Sequence, residues 1–256
     1  MANFLQILIP LISLLLAAAN SETTSYDLSN LNQDLPIYQG DAHFHSPLYR
    51  LTKTNASGYP QKYSVGRVLD PEIFKFEGLF LFTCAFQFVI TPVDNTPADG
   101  LTFFIAPAGT TIPDGSGGAN FGVFSPQGPN SNIFAVEFDT FFNPGIDATS
   151  FPHVGIDIES PISSNLTVVG NDLIGNVVSA RIFYEQATNF LNVSVAMGGK
   201  RFEVSYVVDL SSILQKESQV GLSAATGEGV AIFDIRTWLF NFIKGSPTVE
   251  KYLLTA

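Results

Sequence analysis

The sequence predicts an all-β protein, a jelly-roll type sandwich of antiparallel sheets in a single domain. The composition is rich in Phe, Val, Ile and Thr, with 23 phenylalanines among 256 residues, and these residue types favour strands. Strand-like runs recur between turn signals rich in Gly and Pro. No long segment has the helical period, so the alternating helices of a parallel α/β fold are not expected.

Nine runs of strand type follow one another along the chain. They are LFLFTCAFQFVI (79–90), GLTFFIAP (100–107), IFAVEFDTFF (133–142), HVGIDIE (153–159), VVSARIFYE (177–185), FLNVSVAM (190–197), FEVSYVVDL (202–210), VGLSAA (220–225) and AIFDIRTWLFNF (231–242). The fifth and sixth runs are separated by Gln-Ala-Thr-Asn and predict a β-hairpin. SSILQKES (211–218) is expected to form a helical turn or a loop. The Gly- and Pro-rich segments between the runs do not divide the chain into two different halves, which favours one domain.

The first 21 residues predict a secretory signal peptide. They carry no charged side chain, are apolar from Phe4 to Leu16 and end in small residues. Cleavage after Ser21 leaves a mature domain of residues 22–256. No later segment reaches the roughly 20 apolar residues of a transmembrane helix, so membrane insertion is not expected. Three sequons, at Asn55, Asn165 and Asn192, predict N-glycosylation in the secretory pathway, and we expect an extracellular or vacuolar protein.

The charge and the cysteine content limit the possible partners and the source of stability. The formal net charge is −11, which disfavours nucleic acid and anionic membranes and suits neutral or cationic partners. The single cysteine, Cys84, has no intramolecular disulfide partner and lies in an apolar run. A buried, unreactive thiol is expected there, so stability must come from a core, a metal or association.

One polar stretch, Glu137 to His153, concentrates potential metal ligands. Glu137 and Asp139 project from the same face of a predicted strand, about 7 Å apart. Asn143 and Asp147 follow across a turn, and His153 opens the next strand. Glu, two Asp and a His suit a first-row ion such as Mn²⁺, and Asp, Asp, Asn and a backbone carbonyl suit Ca²⁺. No Lys or Arg lies between residues 77 and 180 to compensate the charge. A solvated acidic loop with an isolated histidine is the alternative interpretation at this point.

Two enzymatic interpretations fit the residues poorly. A jelly-roll glycoside hydrolase can carry its carboxylates on one strand as E-x-D-x-E or E-x-D-x-x-E. Glu137 and Asp139 begin that pattern, but Phe141 and Phe142 occupy the closing positions. A nucleophilic triad would need an activated serine, and no G-x-S-x-G elbow is present. The sequence therefore predicts a protein that is not an enzyme.

Several ordered motifs resemble those of the legume lectin family. EFDTFFN…D…HVGID resembles the metal-binding signature of that family. TSYDLSNLNQ near the start, QGDA at Gln39–Ala42, SVGRVL at Ser64–Leu69, ADGLTFFIAP and VGLSAATG extend the resemblance over essentially the whole mature chain. The resemblance implies a concanavalin-like jelly roll with a flat back sheet and a curved front sheet.

The resemblance also implies two metal sites. The ligands of the transition metal, usually Mn²⁺, would be Glu137, Asp139, Asp147 and His153. The ligands of Ca²⁺ would be Asp139, the carbonyl of Phe141, Asn143 and Asp147. In the family these ions order the loop that presents the sugar-binding groups, and they perform no chemistry on the sugar.

The resemblance further implies a sugar site, for which hexose chemistry requires a carboxylate acceptor, amide donors and an aromatic face. Asp99, preceded by a cis Ala98–Asp99 peptide bond, would accept from sugar hydroxyls. Asn143 would donate its amide, and Phe141 would stack on the ring. The resemblance also implies that the backbone amides of Ala119, Glu228 and Gly229 reach the sugar.

Two functions follow from this resemblance. The first is a Ca²⁺- and Mn²⁺-dependent lectin for mannose/glucose-type glycans or glycoproteins, favoured by the short loop GEGVAIF (227–233). The second is a storage or defence protein of the same fold with weakened or lost sugar binding. Ala119 favours the second, because the family usually has glycine there and a methyl group takes up space that glycine leaves open. Homodimers or homotetramers are expected, since the family commonly associates through its back sheets.

Overall fold

The computed structural model describes residues 22–28 and 35–245, which form two antiparallel sheets. The predicted signal peptide lies outside the described residues. The first sheet, here called the back sheet, consists of β1 (Glu22–Asp27), β3 (His43–His45), β4 (Leu48–Arg50), β7 (Phe80–Pro92), β12 (Val177–Glu185), β13 (Phe190–Met197), β14 (Lys200–Val207) and β16 (Ala231–Lys244). Its spatial order is β14-β13-β12-β7-β16-β4-β3, and β1 also pairs with β16.

The second sheet, here called the front sheet, lies against the back sheet. It consists of β2 (Ile37–Gly40), β5 (Val65–Leu69), β6 (Phe74–Lys75), β8 (Gly100–Pro107), β9 (Phe134–Asp139), β10 (His153–Ile158), β11 (Asn165–Val168) and β15 (Glu217–Ala225). The order is β11-β10-β9-β8-β15-β5-β2, with β6 beside β15. Short helical turns occur at Gly118–Asn120, Gly170–Leu173 and Leu210–Ile213. Several strands that are neighbours in space, such as β7 with β12 and β16 and β8 with β15, come from distant parts of the chain, as in a jelly roll.

The main core fills the space between the two sheets. In β7 every second residue points inward, and this set comprises Phe80, Phe82, Cys84, Phe86, Phe88 and Ile90. Phe103 and Phe138 of the front sheet meet this set, with Phe86 and Phe138 rings 5.6 Å apart in an edge-to-face arrangement. Burial of each such side chain stabilises the fold by roughly 1.5–3 kcal/mol. The aromatic alternation in the sequence thus decides which face of β7 is inside.

A smaller core lies on the opposite face of the front sheet, where long loops fold over it. Phe104 and Ala135 of the sheet pack there with Val123 and Phe124 of the loop that follows β8. Arg67 is also buried on this side, with its guanidinium 4.8 Å from the Phe104 ring centre. This second core holds the glycine-rich loop against the front sheet, beside the end of β8 where Asp99 lies.

The strand predictions are confirmed with small shifts at the ends. The runs at 100–107 and 177–185 coincide with β8 and β12, and residues 186–189 connect the predicted hairpin of β12 and β13. The predicted run 133–142 is longer than the observed strand, since β9 ends at Asp139. The chain then turns through the loop that contains Asn143 and Asp147. Cys84 is buried, as expected. Among the described residues, no helix is long and apolar enough to span a membrane.

Candidate functional site: an acidic cluster beside a buried aspartate

Strand register brings the acidic residues and the histidine together. In the pairing of β9 with β10, His153 lies opposite Asp139 and Gly155 lies opposite Glu137. In the pairing of β8 with β9, Gly100 lies opposite Asp139. Because Glu137 and Asp139 are two residues apart, both project to the face of the front sheet away from the main core. The ligand atoms of Glu137, Asp139 and His153 all lie within 4.8 Å of one another.

These three side chains are buried rather than solvated. Glu137 and Asp139 are 1% exposed and His153 is 2% exposed. The Nε2 atom of His153 lies 3.1 Å from Glu137 Oε1, and its Nδ1 atom lies 3.2 Å from the Phe151 carbonyl oxygen. The alternative interpretation as a solvated acidic loop is therefore wrong for the part of the cluster that lies on strands.

Two polar residues that the sequence interpretation had not assigned complete the cluster. The Ser163 hydroxyl contacts both Glu137 Oε1 and, at 3.0 Å, Asp157 Oδ1. A Cβ atom at Gly155 would collide with the Ser163 hydroxyl and with Glu137 Oε1. Glycine at this position of HVGID is thus required by the approach of Ser163 to Glu137. The only signal in the sequence is the motif itself, which contains Gly155 and Asp157 but not Ser163.

The electrostatics of the cluster favour a bound cation. Burial, together with the charges of Glu137 and Asp147, raises the pKa of Asp139 to about 9. Burial lowers the pKa of His153, but the hydrogen bond to Glu137 and the carboxylate charges outweigh this effect and raise it overall. Within the cluster and the loop after β9, four buried oxygens lack a hydrogen-bond partner among the described residues: Glu137 Oε2, Asp139 Oδ2, Asn143 Oδ1 and Asp157 Oδ2. Unpaired buried carboxylate oxygens are costly unless a cation compensates them.

The loop after β9 carries the remaining predicted ligands. Asp139 Oδ1 accepts the Phe141 amide proton at 2.7 Å, and the Asp147 carboxylate accepts the amide proton of Asn143. Asp147 is half-buried and does not join the tight group of Glu137, Asp139 and His153. Burial is the main cause of the raised pKa of Asp147, and its charge acts on both Asp139 and Asp99. The loop is therefore tied to the cluster by its backbone.

Asp99 lies next to this cluster, at the start of β8. The Ala98–Asp99 peptide bond is cis, as predicted. The Asp99 amide donates to the Ala225 carbonyl at 3.0 Å. The Asp99 carbonyl accepts hydrogen bonds from the amide and the hydroxyl of Thr140 at 2.9 and 2.8 Å. The side chain is 2% exposed, and its Oδ2 atom has no hydrogen-bond partner among the residues described. Burial, and secondarily Asp147, raises the pKa of Asp99 to about 7.

Two glycine loops enclose the Asp99 carboxylate. A Cβ atom at Gly227 would lie 2.7 Å from Asp99 Oδ2, and one at Gly118 would lie 3.7 Å from Asp99 Oδ1. Gly229 packs so closely that a Cβ atom would lie 2.5 Å from the Thr96 carbonyl oxygen. Ala119, beside Gly118, is 8% exposed. Gly118 and Gly227 were not assigned from the sequence, although the glycine-rich stretches around them mark both loops.

The other predicted site residues are less buried than Asp99. Glu228, between Gly227 and Gly229, is exposed, and its carboxylate binds Lys62 Nζ at 3.0 Å and the Tyr63 hydroxyl. Phe141 is half-buried at the loop after β9.

The three sequon asparagines lie in three different parts of the fold: a turn, β11 and β13. Asn55 is exposed in a turn, where its Oδ1 accepts from the Ser57 and Tyr59 amides. Asn165 and Asn192 both donate to Ser205, at 2.8 Å to its carbonyl and 2.9 Å to its hydroxyl.

Comparison with known proteins identifies the family. Residues 23–254 match the legume lectin domain. Agglutinin-2 of Cladrastis kentukea is 38% identical over 252 residues, 91% of this chain and 85% of that protein. The mannose/glucose-specific lectin of Centrolobium tomentosum is 35% identical over 241 residues, 86% and 96% of the two chains. Winged bean acidic lectin, solved with methyl-α-D-galactose, superposes with a TM-score of 0.78 at 34% identity, covering 86% of this chain and 98% of that chain.

These matches agree with the two antiparallel sheets and with the cluster of Glu137, Asp139 and His153. They span nearly all of the residues that the structure describes, so the likeness is not confined to one motif. The chain belongs to the legume lectin family, a family of carbohydrate-binding proteins that are not enzymes.

Proposed function

We propose that this protein is a Ca²⁺- and Mn²⁺-dependent lectin that binds mannose/glucose-type glycans at Asp99 and leaves them chemically unchanged. The observation that carries the proposal is the buried Asp99 carboxylate, whose Oδ2 atom lacks a partner among the described residues. A carboxylate enclosed by two glycine loops is an acceptor for hydroxyl groups that approach from outside. A hexose supplies adjacent hydroxyls, and hydrogen bonds to a charged acceptor are worth about 1.5–3 kcal/mol each.

The residues of the acidic cluster fit the proposed cations. Carboxylates with one imidazole suit Mn²⁺, and carboxylate, amide and carbonyl oxygens suit Ca²⁺. The proposed Mn²⁺ ligands are Glu137, Asp139, Asp147 and His153. The proposed Ca²⁺ ligands are Asp139, the Phe141 carbonyl, Asn143 and Asp147. When bound, the ions would supply positive charge that neutralises these carboxylates. The chain itself then holds the loop after β9 through the Asp139–Phe141 and Asp147–Asn143 hydrogen bonds.

The sugar would be oriented by groups from three loops. Asp99 would accept from two hydroxyls, and Thr140 fixes its backbone through two hydrogen bonds. Asn143 would donate its side-chain amide, and the Phe141 ring would cover the apolar face of the sugar. Further proposed donors are the backbone amides of Ala119, Glu228 and Gly229. The ordered backbone of these loops reduces the entropy lost on binding.

Mannose/glucose specificity is proposed from the chain and from its relatives. Only five residues, 226–230, separate β15 from β16, so the loop beside Asp99 is short. Relatives from Centrolobium tomentosum and Centrolobium microchaete are named mannose/glucose-specific and mannose-specific. Methyl α-galactoside is the comparison ligand in the test below, because winged bean acidic lectin was solved with a galactoside.

The alternative is a storage or defence protein of this family with weakened or lost sugar binding. Ala119 is the residue that favours it. However, Ala119 is only 8% exposed, so its methyl group is largely covered by protein and takes up little open space at the site. Its backbone amide remains available as a donor, since alanine removes no N–H. We therefore place the lectin function first.

The proposed context is the secretory pathway. We propose a signal peptide at residues 1–21, a lectin domain at 22–256, and an extracellular or vacuolar location. Glycosylation is proposed at the three sequons, and assembly is proposed as a homodimer or homotetramer, in which multivalent display would raise a weak monosaccharide affinity.

Calorimetric titration of the metal-loaded protein with methyl α-mannoside and methyl α-galactoside, repeated after chelation at low pH, tests the function. We expect heat with the mannoside, little with the galactoside, and none after chelation. Restoration by added Ca²⁺ and Mn²⁺ controls for irreversible unfolding. Equal binding in the metal-free protein would refute metal dependence. Preference for the galactoside would refute the specificity, and binding of neither sugar by metal-loaded protein would favour the alternative.

A further inference from the structure

Two of the three histidines of the chain lie on one short strand, away from the acidic cluster and from Asp99. β3 (His43–His45) has the sequence His-Phe-His, and all three residues are exposed. Because side chains alternate along a strand, His43 and His45 project to the same face and Phe44 to the other. β3 belongs to the back sheet, whereas His153 is buried in the front sheet. The exposed imidazoles of this protein are therefore paired at one place.

Pairing with β4 fixes the orientation of this strand. Phe44 lies opposite Tyr49, and their ring centres are 5.1 Å apart. His43 lies opposite Arg50, whose guanidinium donates to both carboxylate oxygens of Asp234, so the positive charge beside His43 is compensated. β3 is last in the strand order of the back sheet, so no described strand covers its outer edge. The net charge of −11 further favours cations at the surface.

The hydrogen bond of His43 leaves its other ring nitrogen available as a metal ligand. Its Nδ1 atom lies 2.9 Å from the Asp41 carbonyl oxygen. A carbonyl oxygen only accepts hydrogen bonds, so Nδ1 carries the proton, and the neutral ring presents an unprotonated Nε2. Histidines that bind metals commonly donate their second N–H group to a backbone carbonyl or a carboxylate, which fixes the ring and raises its basicity. His43 therefore has the supporting contact of a metal ligand.

The two rings are close enough to share one ion. Their centres are 6.1 Å apart, with an angle of 86° between the planes. With metal–nitrogen bonds of about 2.0–2.1 Å, each ring centre lies roughly 3.2 Å from the ion, so two rings bound to it are at most about 6.4 Å apart. The observed separation is within this limit. Rotation of these exposed side chains about their own bonds can bring the rings closer without moving the strand.

We propose that His43 and His45 form a surface site for a divalent transition-metal ion that prefers imidazole, such as Cu²⁺ or Zn²⁺. One nitrogen of each ring binds the ion, and water takes the remaining positions. Imidazole suits both ions, and Cu²⁺ binds most tightly among the first-row divalent metals. The site is independent of the proposed sugar and metal sites, since it lies on the other sheet and uses none of their residues.

Calorimetric titration with Cu²⁺ tests this site in the full chain, loaded with Ca²⁺ and Mn²⁺ and freed of excess ions. Wild type is expected to bind one Cu²⁺ per chain through the pair. His43→Ala and His45→Ala should each weaken this binding about tenfold or more, because the same strand then no longer supplies the second imidazole. Phe44→Ala is the matched control and should change the Kd by less than about twofold, because its side chain projects to the other face.

A rearranged variant distinguishes a shared ion from two independent histidines. His43→Ala/Phe44→His keeps the number of histidines but places the two imidazoles on opposite faces of β3, so its Cu²⁺ affinity should fall to that of His43→Ala. Wild-type affinity in this variant, or in either single histidine variant, would overturn the proposal. Release of one Mn²⁺ for each Cu²⁺ bound, measured by atomic emission and unchanged in the histidine variants, would also overturn it, since Cu²⁺ would then occupy the acidic cluster.

Discussion

Replacing Gly227 by alanine should disable the sugar site without unfolding the protein. The new Cβ atom would lie 2.7 Å from Asp99 Oδ2 and 3.3 Å from Oδ1, and contacts below 3.0 Å require one of the groups to move. Gly227 does not have a positive φ, so its backbone lies outside the left-handed region. Alanine therefore adds no backbone strain, and the effect is confined to the Asp99 carboxylate.

The expected loss follows from the hydrogen bonds of that carboxylate. Displacing Asp99 removes one or two bonds to sugar hydroxyls, each worth about 1.5–3 kcal/mol. One lost bond weakens binding about 10- to 150-fold, and two weaken it further. The change in stability should be small, because Gly→Ala at a compatible φ is worth about 0.4–1 kcal/mol in favour of folding, which offsets part of the local crowding.

Calorimetry with methyl α-mannoside and a thermal melt measure the two effects side by side. Gly128→Ala is the matched control, since its Cβ atom would lie at an ordinary 3.6 Å from the Ser125 hydroxyl and it does not border Asp99. Wild-type affinity in Gly227→Ala would refute the assignment of Asp99 as the sugar acceptor. A large drop in Tm would show instead that the loop, rather than the carboxylate, was disrupted.

Three further predictions concern the metal cluster and the core. Gly155→Ala should weaken Mn²⁺ binding by roughly 10- to 100-fold, as expected when groups supporting metal ligands are displaced, measured by competition with a chelator. Burial raises the pKa of Asp139 to about 9 and of Asp99 to about 7. The metal-free fold therefore holds the protons on these two carboxyls more tightly than the unfolded chain does. Its free energy of unfolding should fall as pH rises from about 4 to 9, which urea denaturation in the presence of a chelator would measure. In the wild type, both carboxylate oxygens of Asp234 accept hydrogen bonds from Arg50 at 2.9 Å. Asp234→Ala leaves the Arg50 guanidinium buried without this partner and should lower the free energy of unfolding by about 3–5 kcal/mol. A thermal melt should then show a Tm lowered by about 6–20 °C.

Each of these predictions has a result that contradicts it. Unchanged Mn²⁺ affinity in Gly155→Ala would show that Ser163 and Glu137 tolerate the methyl group. A metal-free protein that gains stability with rising pH would mean that other groups dominate its titration. For the buried pair the control is Lys200→Ala, which breaks an exposed pair with Asp172 expected to be worth at most about 1 kcal/mol; an equal loss in both variants would refute the importance of burial.

The sequence alone was sufficient for the fold class and for most strands, because alternation of apolar and polar residues reports directly on a sheet with one buried face. The run at 79–90 shows this, since its phenylalanines alternate in the sequence and lie inside in β7. Its limits appear at seven shorter strands that the nine runs missed: β1, β2, β3, β4, β5, β6 and β11. These strands are two to six residues long and carry too few residues to show a clear period.

The candidate site divides in a similar way between local and tertiary information. The spacing of Glu137 and Asp139 predicts their common face, and the motif resemblance supplies Asp99 and the cis bond before it, which the structure contains. Ser163, Gly118 and Gly227 were not assigned, because a serine or a glycine-rich loop is common in proteins and does not by itself identify a site. They become significant only through what they approach in space.

The sequence by itself determined that this chain forms an antiparallel β-sandwich with an acidic stretch of metal-ligand types, because strand alternation and residue chemistry are local properties. The tertiary structure decided the rest. Strand register places His153 opposite Asp139. Packing buries the Glu137 and Asp139 carboxylates, and this burial makes the cluster favour a cation. Two loops more than 100 residues apart in the chain meet at Asp99. Such contacts depend on how distant segments pack, and no local pattern encodes the distance between them.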